Sequence, residues 1–184
     1  MAQTLSTMLP LGTSAPNFTL LDTVSGKMIS LPELKSNLAT VVMFICNHCP
    51  LVKHVQQELV RVANDYQRRE VSFIAISSND IAAYPEDAPE KMREVATALA
   101  YPFPYLFDET QEVAKAYRAA CTPDFYIFDR DLKCVYRGQL DDSRPSNGIP
   151  VTGRDLRAAL DNILHGKPVN PDQRPSIGCN IKWK

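Results

Sequence analysis

No apolar run in this 184-residue chain approaches membrane-spanning length. Met1 to Pro10 has no lysine, no arginine and no stretch apolar enough for a signal-peptide core, so a cytoplasmic protein is expected. A basic excess is missing too. The formal net charge is −1, which implies neither nucleic acid nor an anionic membrane as partner. There is no internal repeat and no low-complexity segment. The five cysteines are an odd number without small-scaffold spacing, which argues against a secreted disulfide framework and for reduced thiols. A content of 45% hydrophobic and 22% charged residues bounds one domain with a substantial core, and leaves small molecules or other proteins as partners.

The chain is organised around Ala39 to Leu59. An apolar run, Ala39 to Ile45, ends in Cys46-Asn47-His48-Cys49-Pro50 and opens into a pattern with Val52, Val55, Leu59, Val62, Ala63 and Tyr66 at three- and four-residue steps. This reads as strand, turn and amphipathic helix. A C-x-x-C delivered to a helix N-terminus places a thiol where unpaired N–H groups and the helix dipole favour a thiolate, the species that attacks disulfides and peroxides. Two blander readings compete with it. A zinc half-site needs a second close pair, which Cys121, Cys134, Cys179, His54 and His165 do not form. A plain structural pair would make His48 and Pro50 poor core choices.

Around this centre, Phe18 to Leu21 and Lys27 to Ser30 flank Ser25-Gly26 as an N-terminal hairpin, and Ser30-Leu31-Pro32-Glu33 has capping-box form. Val71 to Ser78 is a buried strand that completes a βαβ unit. Ile81 to Pro89 reads as a loop, and Met92, Val95, Ala96 and Leu99 mark a second helix. Tyr105 to Phe107, after Pro102 and Pro104, is expected at a sheet edge. Asp108 is expected to cap a helix with Val113, Ala114 and Tyr117 inside. Phe125 to Asp129 and Cys134 to Gly138 form a hairpin, Gln139 to Val151 is a polar insertion, and Thr152 with Asp155 is expected to cap a last helix.

This order, with the C-x-x-C at the end of the first core strand, resembles the thioredoxin superfamily. Ala15-Pro16-Asn17-Phe18 is similar to the opening of its redoxin and peroxiredoxin (AhpC/TSA-type) branch. Cys121-Thr122-Pro123 matches the place of a cis-proline facing the C-x-x-C. The tail Gly178-Cys179-Asn180-Ile181-Lys182-Trp183 resembles the ending of a small cytosolic peroxiredoxin-like family with a Phe-x-Cys-Asn-x-Cys-Pro centre. The resemblance implies an α/β thioredoxin-like fold: a single domain over residues 11–184 with a central mixed sheet flanked by helices, an N-terminal hairpin extension and a C-terminal tail. Residues 1–10 are expected to be flexible.

The resemblance also implies roles. Cys46 would be the nucleophile, with the lowest thiol pKa, and Cys49 the resolving thiol. His48 would stabilise the Cys46 thiolate. Pro123 would follow a cis bond that presents the Thr122 backbone to an extended substrate, which Asn47 and Pro50 would also meet. Cys121 and Cys179 are candidate further redox thiols, and Cys134 reads as an inert core residue. The peroxiredoxin Pro-x-x-x-Thr-x-x-Cys pattern fits neither cysteine, since the Thr position falls on Cys46 or Met43 and the Pro position on Val42 or Ala39. Thiol–disulfide exchange is therefore preferred to a thiol peroxidase with Cys46 peroxidatic. A module holding a soft metal through Cys46, Cys49 and His48 or His54 is the reading from another class. The preferred reading needs no cofactor and no metal. Its partners are a disulfide-containing protein or small molecule (peroxide in the second reading), and a thiol electron donor of the thioredoxin or glutathione type.

Overall fold

The computed structural model describes residues 3–184. In chain order the elements are β1 (Gln3–Leu5), β2 (Thr19–Asp22), β3 (Met28–Ser30), α1 (Leu31–Leu34), β4 (Ala39–Phe44), α2 (Pro50–Gln67) and β5 (Val71–Ser77). A 3-10 turn at Pro85–Asp87 precedes α3 (Pro89–Ala98), β6 (Tyr105–Phe107), α4 (Glu112–Ala116), β7 (Cys121–Thr122), β8 (Asp124–Asp129), β9 (Cys134–Gly138), α5 (Arg154–Leu164) and β10 (Ile177–Asn180). The main sheet runs β3-β2-β6-β5-β4-β8-β9, and a second, three-stranded sheet runs β1-β10-β7. The main sheet is mixed: β4 lies parallel to β5 and antiparallel to β8.

The central strands are buried on both faces, which is why Ala39 to Phe44 shows no polar alternation except Thr40. Side chains of successive strand residues point to opposite faces. Val41, Met43 and Ile45 accordingly join one cluster with the inner faces of α2, α3 and α5. Val42 and Phe44 join the other with Leu31 of α1, Ala114 of α4 and Tyr117. At about 25 cal/mol per Å² of buried apolar surface, these two layers supply the main drive for folding. Among the described residues, no helix is long and apolar enough to cross a membrane.

Three sequence expectations need correction. The strand at Tyr105–Phe107 is interior, between β2 and β5, because its prolines sit before the ladder and every residue within it keeps an N–H. Residues expected as a flexible lead-in instead include β1, which pairs with β10 as an added edge; Met1 and Ala2 lie outside the described residues. The last helix is capped by neither Thr152 nor Asp155. Gly153 takes the left-handed cap position, and the Asp141 carboxylate accepts from the N–H groups of Thr152 and Gly153, both at 2.7 Å. Asp108 does cap α4, from outside it, accepting from Val113 N and Ala114 N.

Two buried devices fix the strand pair that carries Thr122 and Pro123. Arg137, fully buried, donates to Asp124 Oδ2 at 2.9 Å and to the carbonyls of Met8 and Arg118, and stacks over Tyr126 at 4.4 Å. Gly178 lets β10 lie close against β7: a Cβ there would stand 2.3 Å from the Thr122 carbonyl oxygen. Gly178→Ala should therefore cost about 1–3 kcal/mol by overpacking. A lowered urea midpoint with native-state alkylation of Cys179 is the expected outcome. An unchanged midpoint with Cys179 still protected would contradict this packing.

Candidate active site

β4 ends at Phe44, and Ile45 continues its ladder by donating to Ile76 O at 3.0 Å, so the following turn emerges from the middle of the sheet. Cys46 begins that turn and Cys49 closes it as the N-cap of α2, with Pro50 at the first helical position where its missing N–H costs nothing. Both sulfurs are enclosed, Cys46 being 2% and Cys49 0% exposed. From the opposite side comes the Thr122–Pro123 segment, joined by a cis peptide bond as expected. Thr122 Oγ1 lies 3.4 Å from Cys46 Sγ, and its carbonyl oxygen 3.3 Å from Cys49 Sγ.

The Thr122 backbone is not free for a substrate. β10 is paired there, with Cys179 opposite Thr122 and Asn180 opposite Cys121. The chain's own C-terminal strand fills the edge because Gly178 permits the approach. It carries Cys179 Sγ to 2.6 Å from Cys49 Sγ. Cys49 thus stands between two thiols. Cys121, on the same strand as Thr122, is fully buried and leans on the Pro123 carbonyl at 4.0 Å. Cys134 is a core residue whose thiol approaches Tyr136 O, and burial pushes it up to about 11.

Cys49 is lowered to about 5, first because the Cys46 thiol donates to it, and further because Cys179 S–H and the backbone N–H of Val52 do so, against the opposing effect of burial. Cys46 moves upward. Its hydrogen bond to Cys49 is the leading cause, then burial, then the nearby charge of Asp87, with the Thr122 hydroxyl opposing. The two thiols titrate as one pair, which holds its first negative charge between them. Burial and the charge on Cys49 push Cys179 up to about 12.

Sequence reasoning missed Asp87. It is fully buried and gathers the turn: Oδ1 accepts from Asn47 N at 2.7 Å and His48 N at 3.2 Å, while Oδ2 meets His48 Nδ1 at 2.6 Å and Asn79 Nδ2 at 2.8 Å. An acid in a proline-bearing loop carries no periodic signal, and only the fold brings it here. His48 is thus held by Asp87 and stacked on Tyr84 at 4.9 Å. His48 thus forms a pair with Asp87 beside Cys46. Ligand atoms of Cys46, His48 and Asp87 lie within 4.8 Å of one another, whereas His54 is bonded to Ser143. Asn47 and His48 line a surface groove of about 650 Å³ with Lys91, Glu94 and Val95 of α3, and Pro50 is exposed beside the turn.

A model of the AhpC/TSA family matches residues 11–137. No curated protein sequence matches. Among solved structures, an uncharacterized conserved protein from Geobacillus kaustophilus is 68% identical over 100% of this chain and 97% of that one, with a TM-score of 0.99. A hypothetical protein from Sinorhizobium meliloti 1021 is 49% identical over 98% of both chains, with a TM-score of 0.96. The thioredoxin domain of a thiol-disulfide oxidoreductase from Bacteroides vulgatus is 18% identical, covering 71% of this chain and 89% of that one at a TM-score of 0.60; this likeness shows a thioredoxin-like fold.

The depressed Cys49 makes stability depend on pH. Between pH 5 and 9 the unfolded chain binds a proton that the folded chain has lost, so stability rises with pH and is lost as pH falls through about 5. Above pH 9 the raised Cys46 and Cys179 reverse the slope. Urea midpoints of the reduced protein should climb over that window, and Cys49→Ser should remove the climb. Parallel profiles for the two proteins would contradict the assignment.

Proposed function

Since this chain belongs to the AhpC/TSA family, we propose that it is a thiol–disulfide oxidoreductase working through a Cys46–Cys49 dithiol–disulfide couple. Supporting this reading is one negative charge held between Cys46 and Cys49 at the N-terminus of α2, facing the cis Thr122–Pro123 bond. A buried thiol hydrogen-bonded to a thiolate can lose its proton without the help of water. Cys49 takes the Cys46 proton as Cys46 attacks a substrate disulfide, forming a mixed disulfide and releasing one substrate thiolate. That thiolate takes up the proton from Cys49, which then attacks the Cys46 sulfur. A Cys46–Cys49 disulfide forms and the second substrate thiolate leaves. Two electrons have passed to the substrate, and a thiol donor of the glutathione or thioredoxin type returns them in a reducing compartment.

The His48–Asp87 pair positions the turn, since Asp87 holds the Asn47 and His48 N–H groups. The substrate chain around the disulfide lies in the groove between this turn and α3. Its mixed lysine and glutamate lining suits a peptide of no strong net charge. Reaction requires this enclosed turn to open, because the sulfurs are buried in the reduced form.

Cys49→Ser is the variant that tests this reading. It should accumulate as a covalent mixed disulfide between Cys46 and a disulfide peptide, while Cys46→Ser forms none, and both should fall to the background reduction rate of the donor alone. A Cys49→Ser protein that still turns over peroxide, with no mixed disulfide trapped, would contradict the reading in favour of a peroxidase.

A further inference from the structure

We propose that Cys179 is a third redox thiol, which takes the disulfide from Cys46–Cys49 and ends bonded to Cys49, leaving Cys46 free again at the substrate-facing end of the site. The inference rests on the Cys46–Cys49 reading and extends it. Cys179 Sγ is 2.6 Å from Cys49 Sγ, closer than an unbonded sulfur pair would choose without a built approach. That approach is built from both sides. Gly178 removes the side chain that would strike the Thr122 backbone, and β10 is paired with β7 on one side and β1 on the other.

The flanks are tied as firmly. Ser176 N donates to Ser6 Oγ and Ser176 Oγ to Gly138 O. Lys182 N donates to Asn79 Oδ1, and its carbonyl accepts from Asp80 N and Gln111 Nε2. Asn79 in turn donates to Asp87, so the tail and the active-site turn hang on one network. β10 occupies the strand position beside Pro123 and presents its own sulfur there, as an internal substrate for the dithiol.

The exchange conserves electrons. Cys179, as thiolate, attacks the Cys49 sulfur of the Cys46–Cys49 disulfide; the Cys49–Cys179 bond forms, the Cys46–Cys49 bond breaks, and Cys46 leaves and takes up the proton Cys179 gave up. No further oxidant enters. In the reduced site the charge on Cys49 helps hold the Cys179 proton in place, alongside burial. The first oxidation removes that charge and frees Cys179 to react. The relay thus runs from Cys46–Cys49 to Cys49–Cys179.

Reduced full-length protein, equilibrated with oxidised glutathione, acid-quenched, alkylated and mapped without reduction, tests the relay. The expected product joins the Cys49 and Cys179 peptides with Cys46 alkylated. Cys179→Ser and Cys179→Ala should both stop at Cys46–Cys49. Removing the second, more stable disulfide should also lower the equilibrium constant for oxidation by at least about tenfold, near 30 mV for two electrons. A Cys46–Cys49 bond in the wild type with Cys179 fully alkylated would overturn the relay while leaving the proposed function intact. Glutathione adducts with no intramolecular disulfide would overturn both.

Discussion

A single negative charge has to be kept on sulfur in a place almost closed to water. Burial alone would drive every thiol here towards its neutral form, as it does for Cys121. The site instead surrounds one sulfur with donors: the Cys46 and Cys179 thiols and the Val52 N–H of the first turn of α2. The donors come from the turn after β4, from α2 and from β10, so the charge is held only when all three are in place. Fold and reactivity depend on the same contacts.

The main sheet supplies the rigidity that this requires. β4 is flanked by β5 and β8 and covered on both faces, so Cys46 leaves a strand with no freedom to shift register. Thr122 and Pro123 are fixed from behind by the Arg137–Asp124 pair, whose value lies less in net stability than in holding one geometry, since a buried charge left unpaired costs several kcal/mol. Asp87 does the same for the turn by satisfying two of its backbone N–H groups.

Local patterns in the sequence carried much of the architecture. The apolar run from Ala39, the three- and four-residue period of α2, the Ser30–Glu33 capping box and the hairpin at Phe125 to Gly138 all appear where periodicity and turn chemistry put them. The cis bond before Pro123 followed from resemblance. What spacing could not carry was long-range. Nothing in Ser176 to Asn180 says that it pairs with Thr122, and nothing in Pro85-Glu86-Asp87 says that its acid is buried under the turn. The surroundings of the two thiols were hidden for the same reason. Thiol acidity is set by donors within a few ångströms, and those on Cys49 arrive from distant segments.

The relation between the two thiols of the C-x-x-C is the core of this account, and a redox titration addresses it most directly. Reduced protein is held in a graded series of glutathione buffers, and the alkylated fractions of Cys46, Cys49 and Cys179 are read at each potential. The account predicts that protein thiols disappear in pairs, along one reversible two-electron curve, and that Cys49→Ser abolishes it. A Cys49 that stays reduced across the whole series, or thiols lost one at a time as glutathione adducts, would contradict it.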